Sequence, residues 1–313
     1  MPSSIMENKN YLYINYLNMA RNLRTENNLL KALKFYKKAY SLDTGKNDIE
    51  LLMDMALIYD EIGLFSEAEE KYREVLKLDE DEAMAYYGLA ILYDKSADLE
   101  KAKTYYKKAI EKNPNYDKAY FFLANLYDEQ GETDKAIYNY KIVIEINPKD
   151  LWGYANLACI LEELNRNEEA LNCIDKALEV SPKHYKILFN KGVILNKLNN
   201  VEESKEYYKQ SIVENPKYPY SFLNLAVIYR EEENFEKAIE VISKGIMENE
   251  EEGFLYYNRA CFYVNIKENL KALKDVEKSI QLDDLFLDYM KKDKELNPIR
   301  EFEEYKKFNY IGE

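Results

Sequence analysis

The chain contains little histidine, glycine or proline, and these shortages disfavour several classes of protein. Its 313 residues include one His, nine Gly and seven Pro. So few turn-forming residues disfavour an all-β or loop-rich fold. His184 has no second histidine with which to share a metal, and there is no GxGxxG, Walker-type or HExxH motif. We therefore expect no cofactor, no metal and no enzymatic activity.

Further absences concern the compartment and the partners. No apolar run approaches the roughly 18–20 residues of a membrane span, and the first residues lack the pattern of a secretory signal. Cys159, Cys173 and Cys261 form no CxxC pair, which favours free thiols in a reducing cytoplasm. The formal net charge of −14 disfavours nucleic acid as a ligand. We expect a cytoplasmic protein that binds neither membrane nor nucleic acid.

The chain does contain an internal repeat. The stretch "YFFLANLYDEQGETDKAIYNY" (120–140) follows "YYGLAILYDKSADLEKAKTYY" (86–106) at a distance of 34 residues. In this frame, two positions carry a small residue in every repeat. Position eight holds Ala20, Ala56, Ala90, Ala124, Ala158, Gly192, Ala226 and Ala260. Position twenty holds Ala32, Ala68, Ala102, Ala136, Ala170, Ser204, Ala238 and Ala272.

The spacing within the frame predicts two antiparallel helices per repeat. Positions four, seven, eight and eleven form one helical stripe, and positions twenty, twenty-four and twenty-seven form a second. Turn signals such as "EQGETD" (129–134) lie between them. Four frames close on a helix-stopping proline, namely Pro114, Pro148, Pro182 and Pro216. One helix pair cannot bury its own apolar faces, so neighbouring pairs must stack.

The frame also sets the expected domain boundaries. We expect an N-terminal tail at 1–12, repeats over 13–284 and a C-terminal capping segment at 285–313. The eight repeats are 13–46, 49–82, 83–116, 117–150, 151–184, 185–218, 219–252 and 253–286, the last overlapping the cap. Within the cap, Asn297 before Pro298 predicts the start of a helix.

The pattern closely resembles the tetratricopeptide repeat (TPR) family, and the tail resembles the terminal segment of some bacterial members. The residues that match the family signature are Tyr120, Leu123, Ala124, Tyr127, Ala136, Tyr140 and Pro148. The resemblance implies an all-α, right-handed superhelical solenoid of about eight repeats with a C-terminal capping helix. Lys191 and Arg259 depart from it at the usually apolar position seven. We expect their aliphatic stems to pack while their charges reach water.

The family also implies a peptide groove on the concave face of the first helices. The candidate peptide-binding residues are Asn156, Asn190, Asn224, Asn258, Phe121, Asn125, Trp152, Lys186, Phe189 and Tyr220. Position six holds asparagine in four successive frames, and an amide can bond both groups of a peptide backbone. Helices about 8–10 Å apart would match about every third residue of an extended peptide. Similar asparagine ladders occur in O-GlcNAc transferase.

Less specific explanations exist for these residues. The apolar side chains can be contacts between neighbouring first helices, and asparagine is common at this position in the family. Asn125, Asn156 and Lys186 fit the family's carboxylate clamp for acidic chaperone tails, but Phe121 and Asn190 replace two basic members. The rim of the groove is acidic instead, which suits an apolar ligand with basic flanks. A solvated charged edge in an acidic protein explains the rim equally well. The rim carboxylates are Asp60, Glu61, Asp94, Asp128, Glu129, Glu162, Glu163 and Glu231.

Together these features predict a non-catalytic scaffold that binds a peptide or protein segment in its concave groove. One alternative is a structural subunit that forms homo-oligomers through its edges or convex face. Another is a peptide-sensing regulatory protein, although the sequence shows no DNA-binding segment at either end.

Overall fold

The computed structural model describes residues 2–306, with side chains from residue 10 onward except that of residue 304. Over this range the chain is helical and contains no strand. Eight helix pairs follow one another along it. The pairs are α1 Pro2–Thr25 and α2 Leu29–Tyr40, α3 Ile49–Glu61 and α4 Phe65–Leu78, α5 Ala83–Lys95 and α6 Leu99–Lys112, α7 Asp117–Glu129 and α8 Thr133–Ile146, α9 Leu151–Glu163 and α10 Asn167–Val180, α11 Tyr185–Lys197 and α12 Val201–Glu214, α13 Pro219–Glu231 and α14 Phe235–Glu248, and α15 Gly253–Asn265 and α16 Asn269–Leu282.

Contacts divide the chain into two compact units between Pro148 and Lys149. The first unit contains α1–α8 and the second contains α9 onward. Within each unit, the second helix of a pair packs against the first helix of the next pair. The expected all-α solenoid of stacked helix pairs is confirmed. No helix among residues 2–306 combines the length and the apolar character needed to cross a membrane.

The small residues of the repeat lie where the two helices of a pair approach. Every residue at positions eight and twenty is buried, and each alanine and serine among them is 0% exposed. The tyrosines at position twenty-four fill the adjacent space and are among the largest fully buried side chains of the described residues. Close packing of small against large residues therefore fixes the geometry of each pair.

Two residues after the end of each first helix, the backbone adopts a left-handed conformation. The described residues contain eight positive-φ positions, and all fall at position fifteen of a repeat. They are Asn27, Gly63, Ala97, Gly131, Asn165, Asn199, Glu233 and Lys267, with φ between 57° and 78°. Glycine and asparagine tolerate this conformation, whereas alanine, glutamate and lysine are strained by it. The reversal between the two helices is thus a fixed part of the repeat even where its sequence gives no turn signal.

The two ends of the repeat array differ from the internal repeats. α1 is 24 residues long and includes residues 2–12, which the sequence analysis set apart as a tail. After α16, helix α17 (Leu285–Lys292), a 3₁₀ helix (Lys294–Ile299) and helix α18 (Glu303–Lys306) follow. Asn297 and Pro298 lie inside the 3₁₀ helix, so the expected helix start at Asn297 is wrong. Residues 307–313 of the cap lie outside the described residues.

The cap closes the last repeat with buried apolar side chains. Met290, Leu296 and Ile299 are 0% exposed and belong to the hydrophobic core of the second unit. The hydroxyl of Tyr257 on α15 donates to Asp293 at 2.7 Å. The cap therefore covers α15, the first helix of the last repeat, near its middle, and it also covers the end of the array.

The two charged residues at position seven do not behave as expected. Arg259 donates from Nε and Nη2 to both carboxylate oxygens of Asp275 at 2.7 and 2.8 Å, and from Nη1 to Ser243 at 2.9 Å. The two charged side chains are only 17% and 9% exposed. Lys191 is 14% exposed and pairs with Asp175 at 2.7 Å. Both charges are bound in ion pairs between helices. The Arg259 pair is largely buried, so the expectation that its charge reaches water is wrong, whereas the partner of Lys191 is 46% exposed.

Candidate functional site

The second unit carries a continuous row of aromatic side chains near the N-terminal ends of its first helices. We call this row the aromatic strip. It consists of Trp152, His184, Tyr185, Tyr218, Tyr220 and Phe254. Consecutive ring centroids are 5.1–5.4 Å apart along that order. Such offset and edge-to-face contacts are favourable, so the rings hold one another in place.

Two members of the strip are open to solvent. Trp152 is 45% exposed and Tyr220 is 48% exposed, whereas the other four are partly buried. Single exposed aromatic side chains are common on protein surfaces, but these two belong to a contiguous row of rings. Trp152 is also the chain's single tryptophan. The exposed surface of the strip is therefore concentrated on two rings in repeats separated by one other repeat.

Burial sets the protonation of two strip members. Burial, followed by the nearby Lys186 ammonium, lowers the pKa of His184, whose Nδ1 has no hydrogen-bond partner. His184 is therefore neutral near pH 7. Burial raises the pKa of Tyr218 to about 12, so its hydroxyl keeps its proton. At neutral pH the strip is uncharged, and Lys186 beside it is exposed.

Of the predicted peptide-binding residues, Trp152 and Tyr220 lie in the strip and Phe189 and Lys186 adjoin it. Phe189 packs edge-to-face on Tyr218 at 5.2 Å and against Tyr208 at 5.6 Å. Phe189 is partly buried, so it supports the strip from beneath more than it presents a surface. Lys186 follows Tyr185 on α11, and its ammonium contributes to the lowered pKa of His184.

The predicted asparagines are engaged with the protein's own groups. The Nδ2 group of Asn224 donates to the Tyr208 hydroxyl at 3.3 Å, and that of Asn190 contacts the Cys159 sulfur at 3.4 Å. Asn258 donates to the backbone carbonyl of Phe254, four residues earlier, at 2.8 Å. All four asparagines, Asn156 included, are partly buried. An amide ladder for a peptide stays a prediction, and any such ligand would share these amides with internal bonds.

A tyrosine at position twenty-four explains part of the polar pattern at position six. The Tyr208 hydroxyl meets Asn224 of the next repeat, and the Tyr36 hydroxyl donates to Asp54 of the next repeat at 3.0 Å. The repeats before those of Asn190 and Asn258 carry isoleucine, not tyrosine, at position twenty-four. There the asparagine amide bonds another partner. Position six therefore has a packing role between repeats in addition to any role in binding.

Phe121 and Asn125 lie in the first unit and also have internal contacts. Phe121 packs edge-to-face on Tyr140 at 5.8 Å and on Phe122 at 5.5 Å. The Tyr140 hydroxyl donates to Oδ1 of Asn125. These residues join the two helices of their own repeat. The contacts bind Phe121 and Asn125 into the packing of α7 against α8.

The first unit contains a cavity that the repeat pattern does not indicate. It has a volume of about 490 Å³ and is lined by apolar residues of α3 together with Arg21, Arg24, Asp54 and Met84. Arg24 pairs with Asp54 at 2.6 Å, and Arg21 pairs with Glu50 at 2.9 Å. The signal in the sequence was arginine at positions nine and twelve of the first repeat. Its charges neutralise one another across the helices.

The predicted acidic rim is partly neutralised. Lys95 pairs with Asp60 at 2.7 Å, and Lys197 pairs with Glu162. Asp94 accepts a hydrogen bond from the Tyr106 hydroxyl at 3.1 Å. Within the part of the chain that the structure describes, no group of three His, Cys, Asp or Glu side chains is arranged to hold a metal ion. The interactions that these side chains offer a ligand are therefore aromatic contacts and hydrogen bonds.

Comparisons with protein families identify the repeat directly. Models described as tetratricopeptide repeat match at 53–96, 83–116, 105–138, 139–172, 156–219 and 219–252. Together these matches extend without a gap from residue 53 to residue 252. A comparison with curated proteins gives no match.

Solved structures show the same fold. A tetratricopeptide repeat protein from Parabacteroides merdae ATCC 43184 is 21% identical, with a TM-score of 0.59 over 78% of this chain and 97% of that chain. YrrB, described as a TPR protein with an unusual peptide-binding site, is 22% identical, with a TM-score of 0.51 over 59% and 95%. The MamA protein is 31% identical, with a TM-score of 0.47 over 56% and 94%. The first two likenesses support the helical repeat fold.

Proposed function

Because the chain belongs to the tetratricopeptide repeat family, whose repeats support protein-interaction scaffolds, we propose that it binds a peptide or protein segment on the first helices of its second unit. The single observation that carries this proposal is the exposure of Trp152 and Tyr220 within the aromatic strip. Exposed aromatic side chains fixed by neighbouring rings are typical hot spots of binding. In this proposal the chain has no catalytic role and acts in the cytoplasm.

The strip suits a segment more than a small molecule. It crosses the beginnings of α9, α11, α13 and α15, so a ligand that used all of it would span four repeats. YrrB, which has a similar fold, is described as having a peptide-binding site, and this supports a peptide as the ligand here. An apolar segment with basic flanks remains our proposed ligand, since the chain is acidic overall.

A peptide library displayed against the purified protein tests the proposal. We expect the selected peptides to lose binding to the double variant Trp152→Ala/Tyr220→Ala. Binding to Tyr138→Ala should be unchanged, because Tyr138 is a 65% exposed tyrosine of the first unit and serves as a matched control. If the selected peptides bind the double variant as well as the wild type, or if none is selected, the proposal is wrong.

Self-association is a second candidate that one observation favours. After the first repeat, five repeats carry an apolar residue at position seven, and each of these side chains is at most 3% exposed. In the first repeat the equivalent Met19 is 47% exposed. This side of α1 could pair with a second copy, and Met19→Lys should then weaken the assembly. Sedimentation of the wild type as a monomer at every concentration would refute this candidate.

A further inference from the structure

The first repeat is strongly basic, although the chain as a whole is acidic. Repeat 13–46 contains seven basic and two acidic residues, whereas repeat 49–82 contains three basic and twelve acidic residues. Two of the seven, Arg21 and Arg24, are paired with carboxylates of α3. Four others lie on α2, which contains no acidic residue, and we call them the lysine face. They are Lys31, Lys34, Lys37 and Lys38.

The lysine face is the solvent side of α2. At about 100° per residue, its four lysines and Leu30 lie within an arc of about 120° around the helix. All four lysines are exposed, and Leu30, at the beginning of the face, is 71% exposed. The opposite side carries the buried residues of the helix, namely Ala32, Leu33, Tyr36 and Ala39. Packing of the core therefore does not explain why this side is made of lysines.

No carboxylate of the described side chains neutralises the lysine face. The ion pairs of the first repeat involve only Arg21 and Arg24. Aromatic rings hold two of the lysines instead. The Lys38 Nζ lies 5.0 Å from the centroid of the Phe35 ring, and the Lys37 Nζ lies 5.5 Å from that of Tyr59. A ring attracts an ammonium group without cancelling its charge, so the face keeps four positive charges.

The helix dipole explains only part of this arrangement. Lys37 and Lys38 lie in the last turn of α2, where positive charge is favourable. Lys31 lies in the first turn, where positive charge is unfavourable. Lysines three or four residues apart, such as Lys31 with Lys34 and Lys34 with Lys38, also repel each other. An anionic ligand on this face would relieve that repulsion.

The surroundings of α2 favour a short acidic segment over an extended polyanion. With 12 residues, α2 is about 18 Å long, which matches about five residues of an extended peptide. The second helix of the next repeat, α4, contains four glutamates, and four consecutive carboxylates follow it at 79–82. A nucleic acid or an anionic membrane that extended over both repeats would meet these carboxylates. A short segment along α2 alone would avoid them.

We propose that the lysine face of α2 binds a short segment rich in glutamate or aspartate from a partner protein. Its carboxylates pair with the four ammonium groups, and one apolar side chain of the segment contacts Leu30. Opposite charges steer such a segment to the one strongly basic repeat of this acidic chain. The site lies in the first unit and is independent of the aromatic strip.

Fluorescence anisotropy of a labelled peptide tests the inference. The probe is fluorescein-labelled Leu-Glu-Glu-Glu-Glu-Glu, and in its control peptide glutamine replaces every glutamate. We expect the wild type to bind the probe and not the control peptide, with an affinity that falls as the salt concentration rises. Lys31→Gln/Lys34→Gln should bind the probe at least about 3-fold more weakly, since each lost charge pair lies at the surface.

A matched variant controls for the loss of charge. Lys271 and Lys274 are exposed on α16, at the same repeat positions, nineteen and twenty-two, as Lys31 and Lys34. Lys271→Gln/Lys274→Gln should therefore bind the probe like the wild type. Glutamine has nearly the helix propensity of lysine, and circular dichroism checks the fold of each variant. Lys34→Gln alone replaces the double variant if that variant is not folded.

The outcomes either support or overturn the inference. Absence of probe binding, equal affinity of Lys31→Gln/Lys34→Gln and the wild type, equal losses in both double variants, or binding that is insensitive to salt would overturn it. Tighter binding of oligo(dT) or of phosphatidylserine vesicles than of the probe would also overturn it. The strip variant Trp152→Ala/Tyr220→Ala should bind the probe like the wild type, so this test succeeds or fails separately from the proposed function.

Discussion

The buried ion pair of the last repeat gives a sharp prediction about stability. Arg259 and Asp275 take positions that the preceding repeat fills with Leu225 and Val241, which are 3% and 7% exposed. The double variant Arg259→Leu/Asp275→Val would therefore copy an apolar contact that the fold already contains one repeat away. Each single variant would instead leave one charge buried without its partner.

The magnitudes follow from burial. Removing one partner of a buried pair destabilises by about 3–5 kcal/mol, because the remaining charge is poorly solvated. With side chains 17% and 9% exposed, we expect each single variant to lie near the lower end of that range. Replacing both partners by apolar residues is often neutral or stabilising by about 1–4 kcal/mol. The double variant should thus be at least as stable as the wild type, with strong coupling between the two sites.

The pH dependence distinguishes the two single variants. Burial raises the pKa of Asp275, although the Arg259 guanidinium opposes the shift. In Arg259→Leu this opposition is lost and the pKa should rise further. A carboxyl whose pKa is raised by folding is protonated more readily when folded, so this variant should regain stability as the pH falls. Asp275→Val leaves a guanidinium that stays charged, and it should show no such recovery.

The assay must be local, because arrays of repeats need not unfold in one step. Hydrogen exchange of the amides in α14, α15 and α16 should accelerate in both single variants and return to wild-type protection in the double variant. Urea unfolding of the whole chain gives a second measurement. If the double variant loses as much protection as the two single variants together, the pair stabilises the fold and our reasoning is wrong.

Three further predictions concern backbone, protonation and packing. Glu233→Gly should stabilise the fold by about 0.5–1 kcal/mol and so raise the urea midpoint, because φ is 59° at this position. Gly131→Ala, at φ 71°, should lower the midpoint. A lower midpoint for Glu233→Gly than for the wild type would contradict the strain. Folding lowers the pKa of His184, so the unfolded chain is protonated at this site first as the pH falls. The free energy of unfolding should therefore decrease below about pH 6.5, and His184→Gln should remove this decrease from the urea midpoints. The same dependence of the midpoint on pH in His184→Gln and the wild type would refute the prediction. Gly88→Ala would place its Cβ 2.3 Å from the Tyr72 ring. The clash should cost about 1–3 kcal/mol and outweigh the gain of about 1 kcal/mol in helix propensity, so the variant should be less stable than the wild type. A urea midpoint equal to that of the wild type would show that the ring can move.

The sequence predicts the helix pairs because their constraints are local. Small residues at positions eight and twenty recur at fixed spacing, and each of them is buried. The prolines also mark helix ends correctly, since α6, α8, α10 and α12 each stop two residues before one. The left-handed residue at position fifteen is only half visible, because Ala97, Glu233 and Lys267 adopt it without a glycine or asparagine signal.

The candidate site is less visible because it depends on contacts between repeats. Trp152 and Tyr220 were predicted from their frame position on the first helices. His184, Tyr185 and Tyr218 were not, since they lie at the junction between frames, where the pattern indicates only a turn. Their rings meet because successive junctions stack, which a single frame does not show. The error at Arg259 has another origin, because its carboxylate partner Asp275 lies in the same repeat on α16 and only Ser243 belongs to the preceding repeat.

The engagement of the asparagines changes how binding to the second unit should be tested. The Asn224 amide donates to the hydroxyl of the buried Tyr208, so replacing Asn224 by alanine would leave a buried acceptor without its donor. A loss of binding in such a variant could therefore come from a shifted α13 instead of a lost ligand contact. Trp152 and Tyr220 are nearly half exposed, so their replacement removes surface with less disturbance beneath it. Variants of the strip, judged against Tyr138→Ala, thus separate recognition from folding in a way that variants of the asparagines do not.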